Sequence, residues 1–170
     1  MMSAIAQEFL QQSIIHLEVN TPRIEKCLAE LTEYEVWQRP NGSSNSVGNL
    51  LLHLCGNITQ YILSGLGQVH DHRVREAEFA ATEGFTKAEL FQKLTTTVQD
   101  ACEVIRHLDD TDLLRVRTVQ CFELSAIGII VHVTEHYSYH TGQIAFWTKQ
   151  LKNKPLDFYA GMNLNANNEI

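Results

Sequence analysis

The chain has 170 residues, a formal net charge of −7 and no notable cluster of Lys or Arg. That balance argues against a nucleic-acid groove or an anionic membrane surface as the main partner. The length suits one domain spanning residues 1–170, which can bury roughly 70% of its unfolded surface without disulfide staples. The four cysteines, Cys27, Cys55, Cys102 and Cys121, are scattered and form no C-x-x-C. They read as reduced, buried small hydrophobes. The first residues lack a cationic stretch followed by an apolar block. No apolar run reaches the length of about 18 residues that spans a bilayer. The expectation is a cytoplasmic protein.

Four helical segments follow from apolar periodicity. In the first, about Ser3 to Glu33, Leu10, Ile14, Leu17, Thr21, Ile24, Leu28 and Leu31 recur at steps of three and four. Pro22 interrupts this segment, and a proline inside a helix costs about 3 kcal/mol. The stripe keeps its phase across Pro22, so one kinked helix is expected. The stretch "WQRPNGSSNS" has loop composition. The second helix is expected from about Ser46 to Gly65, with Val47, Leu51, Leu54, Ile58 and Tyr61 as its stripe. "VHDHRVREAEFAATEGF" breaks the pattern and reads as a crossover connection.

The third helix starts at Thr86, which forms a capping box with Glu89. It buries Phe91, Leu94, Val98, Ala101, Ile105 and Leu108, and ends near Asp109 and Asp110. A short link precedes the fourth helix, about Leu124 to Lys152. Lys149, Lys152 and Lys154 suit the negative end of its dipole, and Pro155 stops it. Nothing alternates strongly enough for a sheet. The fold class is therefore all-α: a four-helix bundle with a long crossover between helices two and three.

Charge is unevenly spread. From Asn41 to His70 there is no Asp, Glu, Lys or Arg, and from Leu124 to Thr148 only Glu135. A solvent-facing helix normally carries charge. Helices two and four are thus covered on more than one side. They are either the central elements of the monomer or, in addition, the face of a homodimer.

Helix four carries His132, His136 and His140. Positions four apart sit about 40° apart on a helix. His136 and His140 fall on the stripe of Ile129, Val133, Ile144, Trp147 and Leu151, so they face the interior side by side. Two neutral imidazoles at this spacing can chelate one divalent cation; they can equally be hydrogen-bonded core histidines. A third ligand must come from another helix. His53 in "NLLLHLCGN" is the best candidate, on a strip of uncharged polar residues with Asn49, Asn57 and Gln60. His132 lies further around. A competing pattern, H-x-x-E-H over His132 to His136, would make His132 and His136 zinc ligands and Glu135 a base. It needs a downstream acidic ligand, and only Asp157 and Glu169 follow.

"SVGNLLLHLCGN" and "HVTEHYSYHTGQI" resemble the two histidine-bearing helices of the DinB/YfiT-like superfamily of metal-binding four-helix bundles. "W-x-R-P" after helix one, the "DHRVREAEF" crossover and "FY" after helix four resemble one branch of it, so the similarity runs from about Ser3 to Tyr159. The resemblance implies a bundle with a long second crossover, dimerisation, and a three-histidine metal site, here His53, His136 and His140. Many relatives have Arg after the last histidine, where this chain has Thr141. Characterised members are metal-dependent transferases or isomerases that use small thiols such as bacillithiol or mycothiol; many others have no known activity.

Three neutral histidines leave a coordination position open, as in catalytic sites. A metal there, with zinc or nickel first among the candidates, could acidify a bound thiol or water. The expected chemistry is thiol transfer to a small-molecule electrophile, or hydrolysis, with a low-molecular-weight thiol as a candidate co-substrate. The alternative is a non-catalytic dimeric module that binds a metal or other ligand. Asn57, Glu135, Tyr137, Tyr139 and Gln143 could orient ligands or move protons. Arg73 and Arg75 could reach a carboxylate substrate, or tie the crossover to acidic helix surfaces.

Overall fold

The computed structural model describes residues 2–168. The element order is α1 (Ala4–Glu18), α2 (Thr21–Glu30), α3 (Glu33–Trp37), α4 (Val47–Ile58), α5 (Arg75–Ala80), α6 (Lys87–Arg106), α7 (Asp110–Leu114), β1 (Val116–Val119), β2 (Phe122–Ser125) and α8 (Ala126–Lys152). The fold is predominantly α, as the periodicity predicts. Four rods form the bundle: α1 with α2, α4 with its π-helical extension, α6, and α8. The α1–α2 rod packs on both α6 and α8, and α4 packs on the same two from the other side. Helices α4 and α8 are therefore packed neighbours, which brings their histidines within reach.

The first rod departs from the expected single helix. Its hydrogen-bond ladder breaks after Glu18, where Pro22 has no N–H to continue it. Val19 and Asn20 keep right-handed helical dihedrals, and the Asn20 side chain donates to the His16 carbonyl at 2.8 Å. The direction of the rod is preserved, so Leu10, Ile14, Leu17, Ile24, Leu28 and Leu31 are all buried in one core. A capping box between Thr32 and Glu35 then opens the short α3.

Helix α4 starts from Ser46, whose hydroxyl accepts from the Asn49 N–H while the Asn49 side chain returns to the Ser46 N–H. After Ile58 the ladder widens to i→i+5 bonds over Thr59–Ser64. Such a widening rotates the following residues around the axis. Covered by α5, α6 and α8, α4 is buried on nearly every side, which accounts for its lack of charge within the monomer. Helix α8 differs: Ile127, Val131, Tyr139 and Phe146 are exposed along it.

The link before α8 contains a structure the sequence reading excluded. Val116–Val119 pairs antiparallel with Phe122–Ser125, Val119 opposite Phe122. Gln120 takes a positive φ of 56° in the two-residue turn. Each strand has only four residues, and Val119 is the one buried side chain between them, so no run of buried alternation marks the pair. Cys27, Cys55 and Cys102 are buried as expected, but Cys121 sits exposed in this turn. No described helix is long and apolar enough to cross a membrane.

The crossover is latched to the bundle by the residues of the W-x-R stretch. Trp37 lies so close over Gly48 that a Cβ there would meet its ring at 2.7 Å. The Trp37 indole N–H donates to the Phe85 carbonyl at 3.1 Å, and Arg39 donates to the Phe79 carbonyl. Asn49 donates to the carbonyls of Glu78 and Ala81, at 2.9 and 2.7 Å. These bonds seat α5 on α4, directly over His53.

Candidate metal centre

His53 on α4 meets His136 and His140 on α8. Their candidate ligand nitrogens all lie within 4.8 Å of one another. The Nε2 atoms of His53 and His136 face each other at 2.9 Å. Ring centroids are 5.0 Å apart for His53–His136, 5.2 Å for His53–His140 and 4.4 Å for His136–His140. His53 and His140 are buried, and His136 is partly so.

Hydrogen bonds on the far side of two rings fix which nitrogen carries a proton. His53 Nδ1 lies 2.9 Å from Glu78 Oε2, and His140 Nδ1 lies 2.7 Å from Gln143 Oε1. Both oxygens are acceptors, so each Nδ1 donates to them and each Nε2 is the nitrogen turned toward the interior. The ring of His136 is neutral: burial first, and the neighbouring histidines next, push its pKa down to about 3. Burial likewise lowers His140, against the pull of Gln143. Burial thus holds His136 and His140 uncharged, and the bonds to Glu78 and Gln143 turn the Nε2 atoms of His53 and His140 inward.

That donor set fits a divalent cation. Two nitrogens bound tetrahedrally at about 2.0–2.1 Å stand roughly 3.3 Å apart. The His53–His136 separation is on that scale, and the His140 nitrogen lies within 4.8 Å of both. Without a cation, two facing lone pairs repel unless His136 turns an N–H toward His53. Carboxylate–histidine pairs of the His53–Glu78 kind are the usual support of metal-bound imidazole.

The other candidate residues have distinct places. His132 is not part of the group of three; it stacks on Tyr61 at 4.4 Å, and its Nε2 lies 3.4 Å from Asn57 Nδ2. Burial lowers its pKa too. Asn57 is buried, and its Oδ1 finds no partner. Glu135 is exposed. Of the two acidic residues that the H-x-x-E-H pattern could draw on downstream, Asp157 gives its carbonyl to Lys26, and Glu169 lies outside the described residues. Tyr137 belongs to the core, its hydroxyl 2.9 Å from Thr21 Oγ1. Tyr139 is exposed, with its ring 5.0 Å from that of His140. Arg75 lies over the Phe79 ring at 4.8 Å, and Phe79 packs on His53 at 4.7 Å.

Arg73 is engaged inside the protein. Its side chain is 4% exposed and makes bonds of 2.7 and 2.9 Å to the two oxygens of Glu78 and 2.9 Å to Gln60. Burial works against the Glu78 charge, but Arg73 and His53 outweigh it and hold the carboxyl below its ordinary value. The sequence reading missed Glu78. Its only signal was membership of the "DHRVREAEF" stretch; nothing in its spacing places it on His53.

An open cleft of about 850 Å³ is walled by the loop from Pro40 to Asn45 and by Tyr139, Gln143, Phe146 and Trp147 of α8. No charged side chain lines it. Gln143, which holds His140, forms part of its wall.

Among solved structures the chain is similar to a conserved protein from Enterococcus faecalis, with a TM-score of 0.73 and 18% identity over 85% of this chain and 97% of that one. A DinB-like protein from Bacillus cereus aligns with a TM-score of 0.66 and 18% identity, over 85% of this chain and 91% of that one. A DinB-like protein from Bacillus subtilis gives 0.66 and 15%, over 87% and 96%. No curated protein matches the sequence. The fold is accordingly that of the DinB-like helical bundles. Within that class the chain belongs to the family described as a protein of unknown function, DUF1572, whose profile matches residues 4–160.

Proposed function

We propose that this protein binds one divalent metal ion through His53, His136 and His140 and serves as a metal-dependent thiol transferase or hydrolase for a small molecule. The observation that carries the reading is the pair of Nε2 atoms at 2.9 Å, with the outer nitrogen of one ring, His53 Nδ1, 2.9 Å from Glu78 Oε2. Three imidazoles supply three donors and leave room for another ligand. Zinc or nickel suits such a nitrogen set. When bound, the ion would lower the pKa of a thiol or water placed at the free position.

The chain's own groups supply the rest. The uncharged cleft beside Gln143 would take an uncharged, partly aromatic portion of a substrate, held by the Asn and Ser side chains of the Pro40–Asn45 loop. Gln143 and Asn57 would orient the ring nitrogens of His140 and His132. Glu135, exposed one residue before His136, would be the nearest carboxylate on α8 for exchanging a proton with solvent. Of the two crossover arginines, Arg75 is the one free to meet an anionic group of a substrate, since Arg73 is committed to Glu78. Burial raises the thiols of Cys27, Cys55 and Cys102 to about 11, so none of these three would be the reacting thiol, and a low-molecular-weight thiol would supply it. We further assign the exposed α8 stripe to a homodimer contact, and the cytoplasm as the site of action of this single domain.

The test is metal content of the untagged protein after loading with zinc or nickel and removal of free ion. About one ion per chain is expected, with loss in His53→Ala, His136→Ala and His140→Ala and retention in His132→Ala. Failure of the wild-type protein to hold any divalent ion would sink the reading.

A further inference from the structure

The crossover does more than close the fold. Arg73 and Glu78 stand at either end of a short turn and helix that lie on the back of His53, the imidazole side facing away from His136. Both compete for the same ring nitrogen: Glu78 Oε2 is 2.9 Å from His53 Nδ1, and Arg73 Nη2 is 3.1 Å from it. The outcome of that competition matters. An arginine can only donate. Were Arg73 the partner, Nδ1 would carry the lone pair and Nε2 the proton, and the inward face of His53 would be closed to a cation.

We propose that Glu78 is the positioning residue that sets His53 in its metal-binding tautomer, and that Gly56 is the space this arrangement requires. The proposal rests on the reading of the three histidines as a metal site. Arg73 Nη2 has its own acceptor in Glu78 Oε2 at 2.9 Å, so it has no need of His53. Arg73 Nε takes the other oxygen at 2.7 Å, which leaves the carboxylate no freedom to turn. Arg73 is itself held by Gln60, whose amide donates to Asp71 at 2.7 Å, while Asp71 accepts the Arg73 backbone N–H at 3.0 Å. A chain of bonds therefore runs from Asp71 to His53 through groups that are almost fully buried at its centre.

Gly56 lies against the middle of this chain. A Cβ at that position would stand 1.9 Å from Glu78 Oε1, 2.8 Å from its carboxyl carbon and 2.9 Å from Arg73 Nε. No real contact is that short, so any side chain at 56 must displace the ion pair. The Glu78 backbone cannot retreat far, because Asn49 holds its carbonyl. The displacement would fall on the bond to His53.

Groups that orient a ligating histidine typically change metal affinity by about 10- to 100-fold when replaced. In Glu78→Gln only one oxygen remains. Arg73 claims it, and the amide NH2 turns toward His53 Nδ1, reversing the tautomer. The test has two arms. Zinc affinity is measured by competition with a chromophoric chelator for the wild type, Glu78→Gln, Gly56→Ala and Gly128→Ala. Gly128 is the control, since a Cβ there meets only ordinary contacts of 3.5 Å or more. Ten- to 100-fold weaker binding is expected in the first two variants, with helical circular dichroism retained, and none in the third. In the second arm, ¹⁵N–¹H correlation of the metal-free protein reads the His53 tautomer directly. Nδ1–H is expected in the wild type and Nε2–H in Glu78→Gln.

If the wild type binds zinc and Glu78→Gln binds it equally well, the proposal is overturned. Should Gly56→Ala lose its fold, Glu78→Gln and the spectrum decide alone. If the wild type takes no metal, the metal site fails as a reading, and the spectrum still judges the role of Glu78. A wild-type His53 carrying its proton on Nε2 would overturn that role.

Discussion

His53 and His136 point their Nε2 atoms at each other from two different helices, 2.9 Å apart, with 82 intervening residues in the chain. Binding of an ion between them would join α4 to α8 and stabilise the folded state by mass action. Free metal at about 100 times Kd contributes about 2.7 kcal/mol. For a chain of this size each kcal/mol moves Tm by about 2–4 °C, so saturating zinc should raise Tm by about 5–10 °C. Differential scanning fluorimetry checks this; a chelator should reverse the rise. His53→Ala should show no rise, and His132→Ala should show the full one.

Lys152 at the end of α8 donates to both oxygens of Glu35, at 2.8 and 2.6 Å. Those bonds first, and the Thr32 backbone N–H next, bring the Glu35 pKa down from 4.5 to about 2. A carboxyl depressed in the folded state adds stability above its unfolded pKa and loses it as pH falls toward the folded one. The contribution is therefore full above about pH 4.5 and fades toward pH 2. Urea unfolding between pH 5 and pH 2.5 should show a shallower acid loss in Glu35→Gln than in the wild type. Equal slopes would remove Glu35 from the account of acid sensitivity.

Tyr137 sits between the proposed ligands His136 and His140 in sequence, yet its hydroxyl bonds Thr21 on the other side of α8. Tyr137→Phe should cost about 0.5–1.5 kcal/mol, the net worth of one buried hydrogen bond. Metal uptake should be unchanged. A selective loss of metal with no loss of stability would place Tyr137 at the centre after all.

The exposed stripe of Ile127, Val131, Tyr139 and Phe146 on α8 is assigned to self-association. Sedimentation equilibrium should give a dimer for the wild type. Phe146→Lys, which puts a charge into the apolar contact, should shift it toward monomer with the helical content intact. A wild-type monomer at high concentration would rule the assignment out.

The parts of this molecule that the sequence announces are those governed by local repetition. His136 and His140 share one stripe because both obey the 3.6-residue period, and Thr86 with Glu89 forms its capping box as read. Helix α4 owes its charge-free surface to coverage, which charge spacing alone could detect. What stayed hidden depends on chain reversal. Glu78 reaches His53 only because the crossover folds back, and the two are 25 positions apart. The hairpin escaped because its strands bury too little to alternate. The helix break at Pro22 was blurred for the opposite reason: Val19 and Asn20 remain helical, so the stripe runs on as if nothing had happened.

Three thiols are sealed in the core, and Cys121 alone stands in the open at the hairpin turn. A maleimide dye or a spin label would thus attach at one defined address under native conditions. From that address, distances to paramagnetic ions bound inside the bundle, and between two labels in an associated pair, become measurable without altering a single residue.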